Sequence, residues 1–385
     1  MNEHKSVKGR GAVENPSSRY LNSETVPIDD GWDSDPNWEP EFLASAPATQ
    51  FFPDKTKKLI TTNQSPDVPF EQSINPYKGC EHGCVYCFAR PTHAYLDLSP
   101  GLDFETKIFF KTNPVERLRE ALEHPKYQCK TIAMGTNTDP YQPVEKEKRI
   151  TRQILETLLE YRHPVSLVTK SVMIMRDLDL LQEFAKQDLV NVAISITTLN
   201  QELKTKLEPR CASPNARLRT LQNLASANIP VGVMVAPIIP MLNDHELESI
   251  VVASVEAGAE FAGYVIVRLP LEVAPLFEAW LEEHYPLKSN RIMNRIRDLR
   301  GGSTYQSEWG VRMRGTGTYA EMIAKRFNIV KRKSGLPTRS KSEYNDSTQK
   351  EAGAKDSDFV NTGESTRLRT DLFKPPDDYL PLFQT

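Results

Sequence analysis

The chain has 385 residues, of which 39% are hydrophobic, and its 48 basic and 51 acidic side chains give a net charge of −3. This balance excludes a basic field over the whole surface of the kind that binds nucleic acid or membranes, although a local basic patch remains compatible with it. The chain has no apolar run of about 18 residues, and its start, MNEHKSVKGR, lacks the apolar stretch of a signal peptide. We therefore expect a soluble, cytoplasmic protein that does not span a membrane.

The two ends of the chain differ in composition from its middle. Residues 1–58 are rich in Pro, Ser, Asn and Asp but carry scattered aromatic side chains, which predicts an extended or partly disordered N-terminal arm lying on the core. Residues 331–385 combine both charges with Ser, Thr and Gly and predict a disordered polar tail. The folded core is therefore expected over residues 59–330.

The middle of the chain alternates short apolar, β-branched runs with segments of helical periodicity. The predicted strands cover residues 72–76, 131–135, 165–169, 190–196, 230–236 and 263–268. The predicted helices cover residues 114–123, 147–161, 178–186, 214–227 and 244–257. This alternation is typical of βαβ units and a parallel sheet, and six repeats are too few for the closed eight-stranded barrel. The predicted fold class is α/β, as an open partial barrel or a doubly wound sheet, with its chemistry at the carboxyl ends of the strands.

Three of the five cysteines lie close together. Cys80, Cys84 and Cys87 form a C-x3-C-x2-C run, whereas Cys129 and Cys211 stand alone. An odd, clustered number of cysteines without an export signal favours a metal site over a disulfide framework. A structural zinc needs four ligands, and His82 could be the fourth only in a strained loop. Three thiolates on a [4Fe-4S] cluster would instead leave one iron open to a small molecule.

The cysteine run, with Tyr86 just before the third cysteine, resembles the signature of the radical S-adenosylmethionine superfamily. The resemblance implies a partial (βα)6 barrel and one [4Fe-4S] cluster whose open iron binds S-adenosylmethionine. It also implies the reaction: one electron cleaves the cofactor to a 5'-deoxyadenosyl radical, which abstracts a hydrogen atom from the substrate. A reducing partner such as flavodoxin or ferredoxin would supply the electron.

Further segments resemble the branch of this superfamily that is related to spore photoproduct lyase, often labelled DNA repair photolyase-like, and an uncharacterised subgroup of it. They are SINPYKGCEHGCVYCFARPTHAYL, MGTNTDPYQPVEK, LVTKS, AISITTL, KLEPRCASPNARL and VMVAPIIPMLND, with GRGA and DDGW upstream. The resemblance extends over residues 57–330, outside which only the two upstream elements contribute.

The same resemblance implies which residues hold the cofactor. The candidates are Tyr86, Ala236 and Pro237 for adenine; Thr136, Asn137 and Asp139 for the methionine amino group; Ser195 and Thr197 for the ribose; and Arg210, held by Glu208, for the methionine carboxylate. Each position also has an ordinary interpretation as turn, strand end, surface ion pair or core aromatic. Lys170, Tyr141 and Arg268 are candidates for substrate contact, and no catalytic residue is assigned.

Neither the two remaining thiols nor four of the histidines are expected to take part in the chemistry. Only Cys129 and Cys211 are left, too few for an auxiliary cluster, so reactions that need a second cluster are not expected and both thiols are expected to be bystanders. His124, His163, His245 and His284 are expected at the surface.

Three functions remain open at this point. The first is a single-cluster radical S-adenosylmethionine enzyme acting on an unidentified substrate. The second is a lyase that repairs a DNA lesion, to which a net charge of −3 gives no support. The third is a zinc-stabilised binding module without catalysis.

Overall fold

The computed structural model describes residues 7–20, 48–337 and 368–375. The strands are β1 (Gln50–Asp54), β2 (Thr61–Thr62), β3 (Gln72–Ile74), β4 (Tyr77–Lys78), β5 (Lys107–Lys111), β6 (Ile132–Met134), β7 (Val165–Thr169), β8 (Val190–Ser195), β9 (Val231–Ile238) and β10 (Phe261–Ile266). The helices are α1 (Leu102–Thr106), α2 (Pro114–Leu122), α3 (Glu145–Lys148), α4 (Ile150–Glu160), α5 (Leu178–Ala185), α6 (Gln201–Leu207), α7 (Pro214–Ser226), α8 (Leu247–Glu256), α9 (Val273–His284), α10 (Ser289–Asp298) and α11 (Gly317–Lys333). Short 3-10 helices cover Arg90–Leu96, Val172–Asp177 and Asp244–Glu246.

The main sheet has seven strands in the order β10-β9-β8-β7-β6-β3-β2. The six strands from β10 to β3 are parallel, and β2 pairs antiparallel with β3 at one edge. These six are the strands predicted from the sequence, and their order across the sheet is their order in the chain. Parallel neighbours need a crossover, which the intervening helices supply. The fold is therefore the predicted α/β arrangement, open between β2 and β10.

The register brings the carboxyl ends of the parallel strands to one edge. Ile74 at the end of β3 pairs with Met134 at the end of β6, and Thr169 at the end of β7 pairs with Ile194 of β8. The loops that follow these strands therefore open on a common side, where the candidate site residues are predicted to lie.

Side-chain caps define where α6 and α7, the two helices that follow β8, begin. Asn200 Oδ1 accepts a hydrogen bond from Leu203 N (2.9 Å) at the start of α6, and Ser213 Oγ accepts one from Ala216 N (3.2 Å) at the start of α7. Side-chain oxygens at these positions satisfy backbone N–H groups that the helix leaves unpaired. Pro214 fits the first helical position because its missing N–H would have no partner there.

Two apolar clusters form most of the core. The larger contains buried side chains of the six parallel strands and of the helices packed on them. The second joins α9 and α10 to Val85 and Tyr86 of the cysteine loop, and includes Val13 from the N-terminal arm. No helix in the described ranges is long and apolar enough to cross a bilayer.

Some boundaries differ from the predicted ones. Arg149 adopts a left-handed conformation (φ 51°) that divides the helix predicted over 147–161 into α3 and α4. Helices α9 and α10 lie in a stretch where no helix was predicted. Helix α11 runs to Lys333, three residues beyond the predicted core boundary, and Leu372 and Phe373 pack against the large cluster.

Part of the N-terminal arm forms a second, small sheet in the order β1-β5-β4. Strand β1 pairs parallel with β5, where Phe52 stacks on Phe109 with ring centroids 5.1 Å apart. Residues 1–6 and 21–47 of the predicted arm, and 338–367 and 376–385 of the predicted tail, lie outside the described residues.

Candidate active site

The three clustered cysteines lie on one loop, between β4 and the 3-10 helix Arg90–Leu96. Cys80 N donates to Phe104 O (2.9 Å), and Cys80 is buried while Cys84 and Cys87 are half-buried. All three are free thiols. Gly83, between the first two, has φ 66°, and a Cβ there would lie 2.8 Å from Glu105 Oε2. Glycine at this position therefore allows the loop both its left-handed turn and its close packing.

These thiols have the chemistry that an iron–sulfur cluster requires. Burial, followed by the negative charges that Cys84 and Cys80 carry when ionised, raises the pKa of Cys87 to about 12, so thiolates on this loop would repel one another. A cationic metal centre would relieve that repulsion, and soft thiolates suit iron. No three His, Cys, Asp or Glu side chains among the described residues converge on one point, so the thiols must turn toward a common centre to bind it. The donor set fits a three-cysteine cluster.

Cys211, which was expected to be a bystander, lies against the cysteine loop. Its Sγ lies 3.8 Å from Cys84 Sγ, and the hydrogen bond between them lowers the pKa of Cys84. The loop between α6 and α7 carries Cys211 to the cysteine loop, a contact across 127 residues that spacing in the sequence does not reveal. Cys129 is half-buried and stays apart, with its pKa raised to about 12 by burial.

The imidazole of His82 is paired with the carboxylate of Asp139. Its Nδ1 lies 3.3 Å from Asp139 Oδ2 in a pair that is less than a tenth exposed. Burial lowers the pKa of His82, but Asp139 and then Cys80 outweigh it and raise this pKa well above the ordinary value. The imidazole is thus held between Asp139 and Cys80, at the start of the cysteine run.

The carboxylate of Asp139 is fully used inside the protein. Oδ1 accepts from Tyr141 N (2.9 Å) and Thr169 Oγ1 (2.7 Å), and Oδ2 accepts from Lys170 N (2.9 Å) besides its contact with His82. Although burial opposes ionisation, His82 lowers the pKa of Asp139 to about 2. Asp139 thus ties the loop after β6 to the end of β7 and to the cysteine loop.

Four side chains from different elements meet beside the cysteine loop. The Tyr86 hydroxyl donates to Glu208 Oε1, Thr197 Oγ1 lies 2.6 Å from the same oxygen, and Arg217 Nη2 donates to Glu208 Oε2. Although burial favours its neutral form, the charges of Arg217 and Lys170 lower the pKa of Glu208 to about 2. The carboxylate is therefore ionised and paired within the protein.

Arg217 was missed by the sequence analysis, and the predicted partner of Glu208 was wrong. Arg217 lies one turn into α7, is fully buried, and donates from Nη1 to Ser195 O (3.0 Å) as well as to Glu208. Arg210 contacts Glu81 instead, with Nη2 at 3.2 Å from Oε1, and its side chain is 35% exposed. The motif KLEPRCASPNARL contains both arginines, and only the helical position of the second distinguishes them.

The ends of β8 and β9 are joined by a second residue that the sequence did not single out. Asn243 Nδ2 donates to Thr197 O (2.7 Å) and Pro237 O (2.9 Å), and Asn243 Oδ1 accepts from Ile239 N (2.6 Å). Thr197 Oγ1 also lies 3.0 Å from Ala236 O. The predicted ribose and adenine candidates Thr197, Ala236 and Pro237 are thus brought together.

Other candidates are placed as follows. Thr136 and Asn137 are half-buried after β6, and their side chains hydrogen-bond no other described residue. Tyr141 is wholly inside the large core cluster, so burial removes it as a substrate contact. His163, expected at the surface, is also fully buried.

Two cations at strand ends make no ion pair with another residue in the described ranges. The Lys170 ammonium, after β7, makes no hydrogen bond or ion pair with another described residue, and Glu208, Cys84 and Cys211 raise its pKa against the effect of burial. The Arg268 guanidinium, after β10, lies 4.0 Å from the ring centroid of Phe88, beside Cys87. Burial lowers the pKa of Arg268 to about 10, so it remains a cation at neutral pH.

Comparison with known proteins agrees with this geometry. The family model described as the Radical SAM superfamily matches residues 74–252. An uncharacterised protein of Mycobacterium tuberculosis is 37% identical over 234 residues, 60% of this chain and 68% of that protein. An uncharacterised protein of Methanocaldococcus jannaschii is 29% identical over 241 residues, 63% of this chain and 86% of that protein. The structure of spore photoproduct lyase complexed with dinucleoside spore photoproduct superposes with a TM-score of 0.51 at 15% identity, over 74% of this chain and 79% of that one, a similarity of fold. The chain belongs to the radical S-adenosylmethionine superfamily.

Proposed function

We propose that the protein is a radical S-adenosylmethionine enzyme that binds one [4Fe-4S] cluster through Cys80, Cys84 and Cys87. The observation that carries the proposal is the loop of three free thiols at the edge where the parallel strands end. When bound, cluster and S-adenosylmethionine supply a 5'-deoxyadenosyl radical that abstracts hydrogen from a substrate. With Cys129 and Cys211 as the other thiols, we expect one cluster per chain and an external one-electron donor such as flavodoxin or ferredoxin.

The chain's own residues would hold the cofactor around the buried Glu208 carboxylate. Tyr86, Thr197 and Arg217 fix that carboxylate from three elements, which supports a preorganised site. Ser195 and Thr197 would face the ribose, and the strand end at Ala236 and Pro237 would face adenine. The free polar groups of Thr136 and Asn137 suit the methionine ammonium better than Asp139, whose oxygens are already occupied.

The methionine carboxylate needs a cation, and the candidates near the cysteine loop are Arg210 and Lys170. Arg210 is engaged by Glu81, whereas the Lys170 ammonium has no partner among the described residues. An unpaired ammonium loses no existing contact when it binds a carboxylate, so we assign this role to Lys170.

Metal analysis of paired variants tests the proposal. After anaerobic reconstitution, the wild-type protein and Cys129→Ala should each hold about four iron and four sulfide per chain, whereas Cys87→Ala should lose most of both. One colourless zinc per chain, retained without sulfide, would establish the binding-module alternative instead.

A DNA-lesion lyase is the second candidate, and one observation favours it. Arg268 stacks on Phe88, a ring that is 40% exposed directly after the third cysteine. A stacked guanidinium beside an exposed ring can take both a phosphate and a base. A lesion-cleaving enzyme would have to bind DNA in a salt-sensitive manner, and Arg268→Met should weaken that binding. Equal DNA binding by the wild-type protein and Arg268→Met would remove this candidate.

A further inference from the structure

We infer that residues Arg10–Val13 of the N-terminal arm act as a cap on the cysteine loop, held by the carboxylate of Glu105, and that this cap shields the iron–sulfur cluster from solvent and oxygen. The inference rests on the proposed cluster and adds a role for the arm that the cluster ligands alone do not give.

The buried carboxylate of Glu105 binds the backbone of the arm. Its Oε2 accepts from Gly11 N (3.0 Å) and its Oε1 accepts from Ala12 N (2.8 Å). Arg10 Nη1 donates to the backbone oxygen of Glu105 (3.1 Å). Glu105 has no exposed surface, and neither has Ala12. A fully desolvated carboxylate that receives two adjacent backbone N–H groups is a specific anchor.

The same carboxylate is connected to the loop that carries the cysteines. Arg90 Nη2 donates to Glu105 Oε1 (2.5 Å), and Arg90 Nε donates to Cys84 O (3.0 Å). Arg90 and Glu105 are both fully buried, so this pair forms a rigid link between the arm and the backbone of Cys84.

The arm also touches the loop directly. A Cβ on Gly11 would lie 1.7 Å from Gly83 O and 3.3 Å from Val85 N, so only glycine allows this approach. Val13 packs in the same apolar cluster as Val85 and Tyr86. The arm therefore covers the outer side of the segment between the first and third cysteines.

A second stretch of the arm closes the other flank. Thr49 Oγ1 accepts from Arg10 Nη2 (3.2 Å) and donates to Glu81 Oε1 (2.9 Å), which places it against the residue that follows Cys80. Both flanks of the loop are thus covered by residues that precede β3, namely Arg10–Val13, which include three residues of GRGA, and Thr49.

Gly11→Ala tests the cap, with Ser17→Ala, at an exposed position of the same segment, as the matched control. Relieving the clash requires the arm to lift, which should raise the opening equilibrium about tenfold. We expect the visible cluster absorbance of reconstituted Gly11→Ala to decay about tenfold faster in air than that of the wild type and Ser17→Ala. Hydrogen exchange at residues 11 and 12 should accelerate in parallel, and the melting temperature of the iron-free chain should change little.

Glu105→Gln gives an independent test if Gly11→Ala folds poorly, because it keeps the shape of the anchor and removes its charge. It should also shorten the lifetime of the cluster in air. If hydrogen exchange shows that the arm amides are released in either variant, yet the cluster of that variant decays at the wild-type rate, the inference is overturned. Failure of the wild-type protein to assemble a cluster would instead refute the proposed function, so the two failures are distinguishable.

Discussion

Glu208 and Arg217, nine residues apart, form an ion pair in which the side chains are 0% and 2% exposed. The pair joins the end of α6 to α7, and Tyr86 of the cysteine loop shares the same carboxylate. The partner of Glu208 is thus on a helix, whereas the sequence pattern pointed to Arg210 in the adjacent loop. This contact links the cysteine loop to the centre of the sheet edge.

Loss of this buried arginine should destabilise the protein strongly. Arg217→Met leaves the Glu208 carboxylate buried without its cation, at a cost of about 3–5 kcal/mol in the free energy of unfolding. Arg210→Met, which breaks the partly exposed pair with Glu81, should cost less than about 1 kcal/mol. Urea denaturation of the iron-free protein measures both, and equal losses would contradict the role assigned to Arg217.

Lys170 and Arg210 should differ in how strongly each contributes to binding the cofactor. Lys170→Met should weaken S-adenosylmethionine binding about tenfold or more, because a charge-assisted hydrogen bond to the carboxylate is lost. Arg210→Met should change the affinity less, since Arg210 already has a carboxylate partner. Equilibrium dialysis of the reconstituted variants gives both dissociation constants, and a larger loss in Arg210→Met would reassign the role.

The close thiols of Cys84 and Cys211 predict a specific disulfide in the iron-free protein. Oxidation by hydrogen peroxide removes two protons and two electrons from the pair and yields water, and the 3.8 Å separation requires only a small movement. Peptide mapping under non-reducing conditions should find Cys84 joined to Cys211, with Cys129 unlinked as the internal control. A dominant link between Cys80 and Cys87 would show that the cysteine loop is arranged differently.

Burial of His163 predicts a loss of stability in mild acid. Burial lowers its pKa to about 4 from the ordinary 6.5, while Tyr127 OH lies 2.6 Å from its Nε2. Between these values the unfolded chain binds a proton that the folded one does not, so this stabilisation is lost as pH falls from 6.5 toward 4. The contribution should fall by about 2 kcal/mol between pH 7 and pH 5.

Matched histidine variants separate this effect from general acid sensitivity. Denaturation of His163→Gln should show a smaller drop between the two pH values than the wild type, whereas the exposed His124→Gln should behave like the wild type. Buried His93 has a similarly lowered pKa, about 4, and contributes equally in all three proteins. An unchanged drop in His163→Gln would contradict the assignment.

The parallel sheet could be predicted from the sequence because each of its strands is a short run of buried, β-branched residues, which is a local pattern. The group of three cysteines was equally visible, since all three lie on one short loop. Contacts across long separations were not, and the approach of Cys211 to Cys84 and the binding of Gly11 by Glu105 are examples. No local pattern in the sequence shows which arginine will form an ion pair with a given carboxylate in the folded chain.

Reductive cleavage of S-adenosylmethionine by this chain is measured by the formation of 5'-deoxyadenosine. The wild-type protein, reconstituted anaerobically and supplied with dithionite and S-adenosylmethionine, should release 5'-deoxyadenosine and methionine, as should Cys129→Ala. The Cys87→Ala variant should release neither above the level seen without protein. A wild-type protein that holds a complete [4Fe-4S] cluster and yet never produces 5'-deoxyadenosine would show that the proposed activity is wrong.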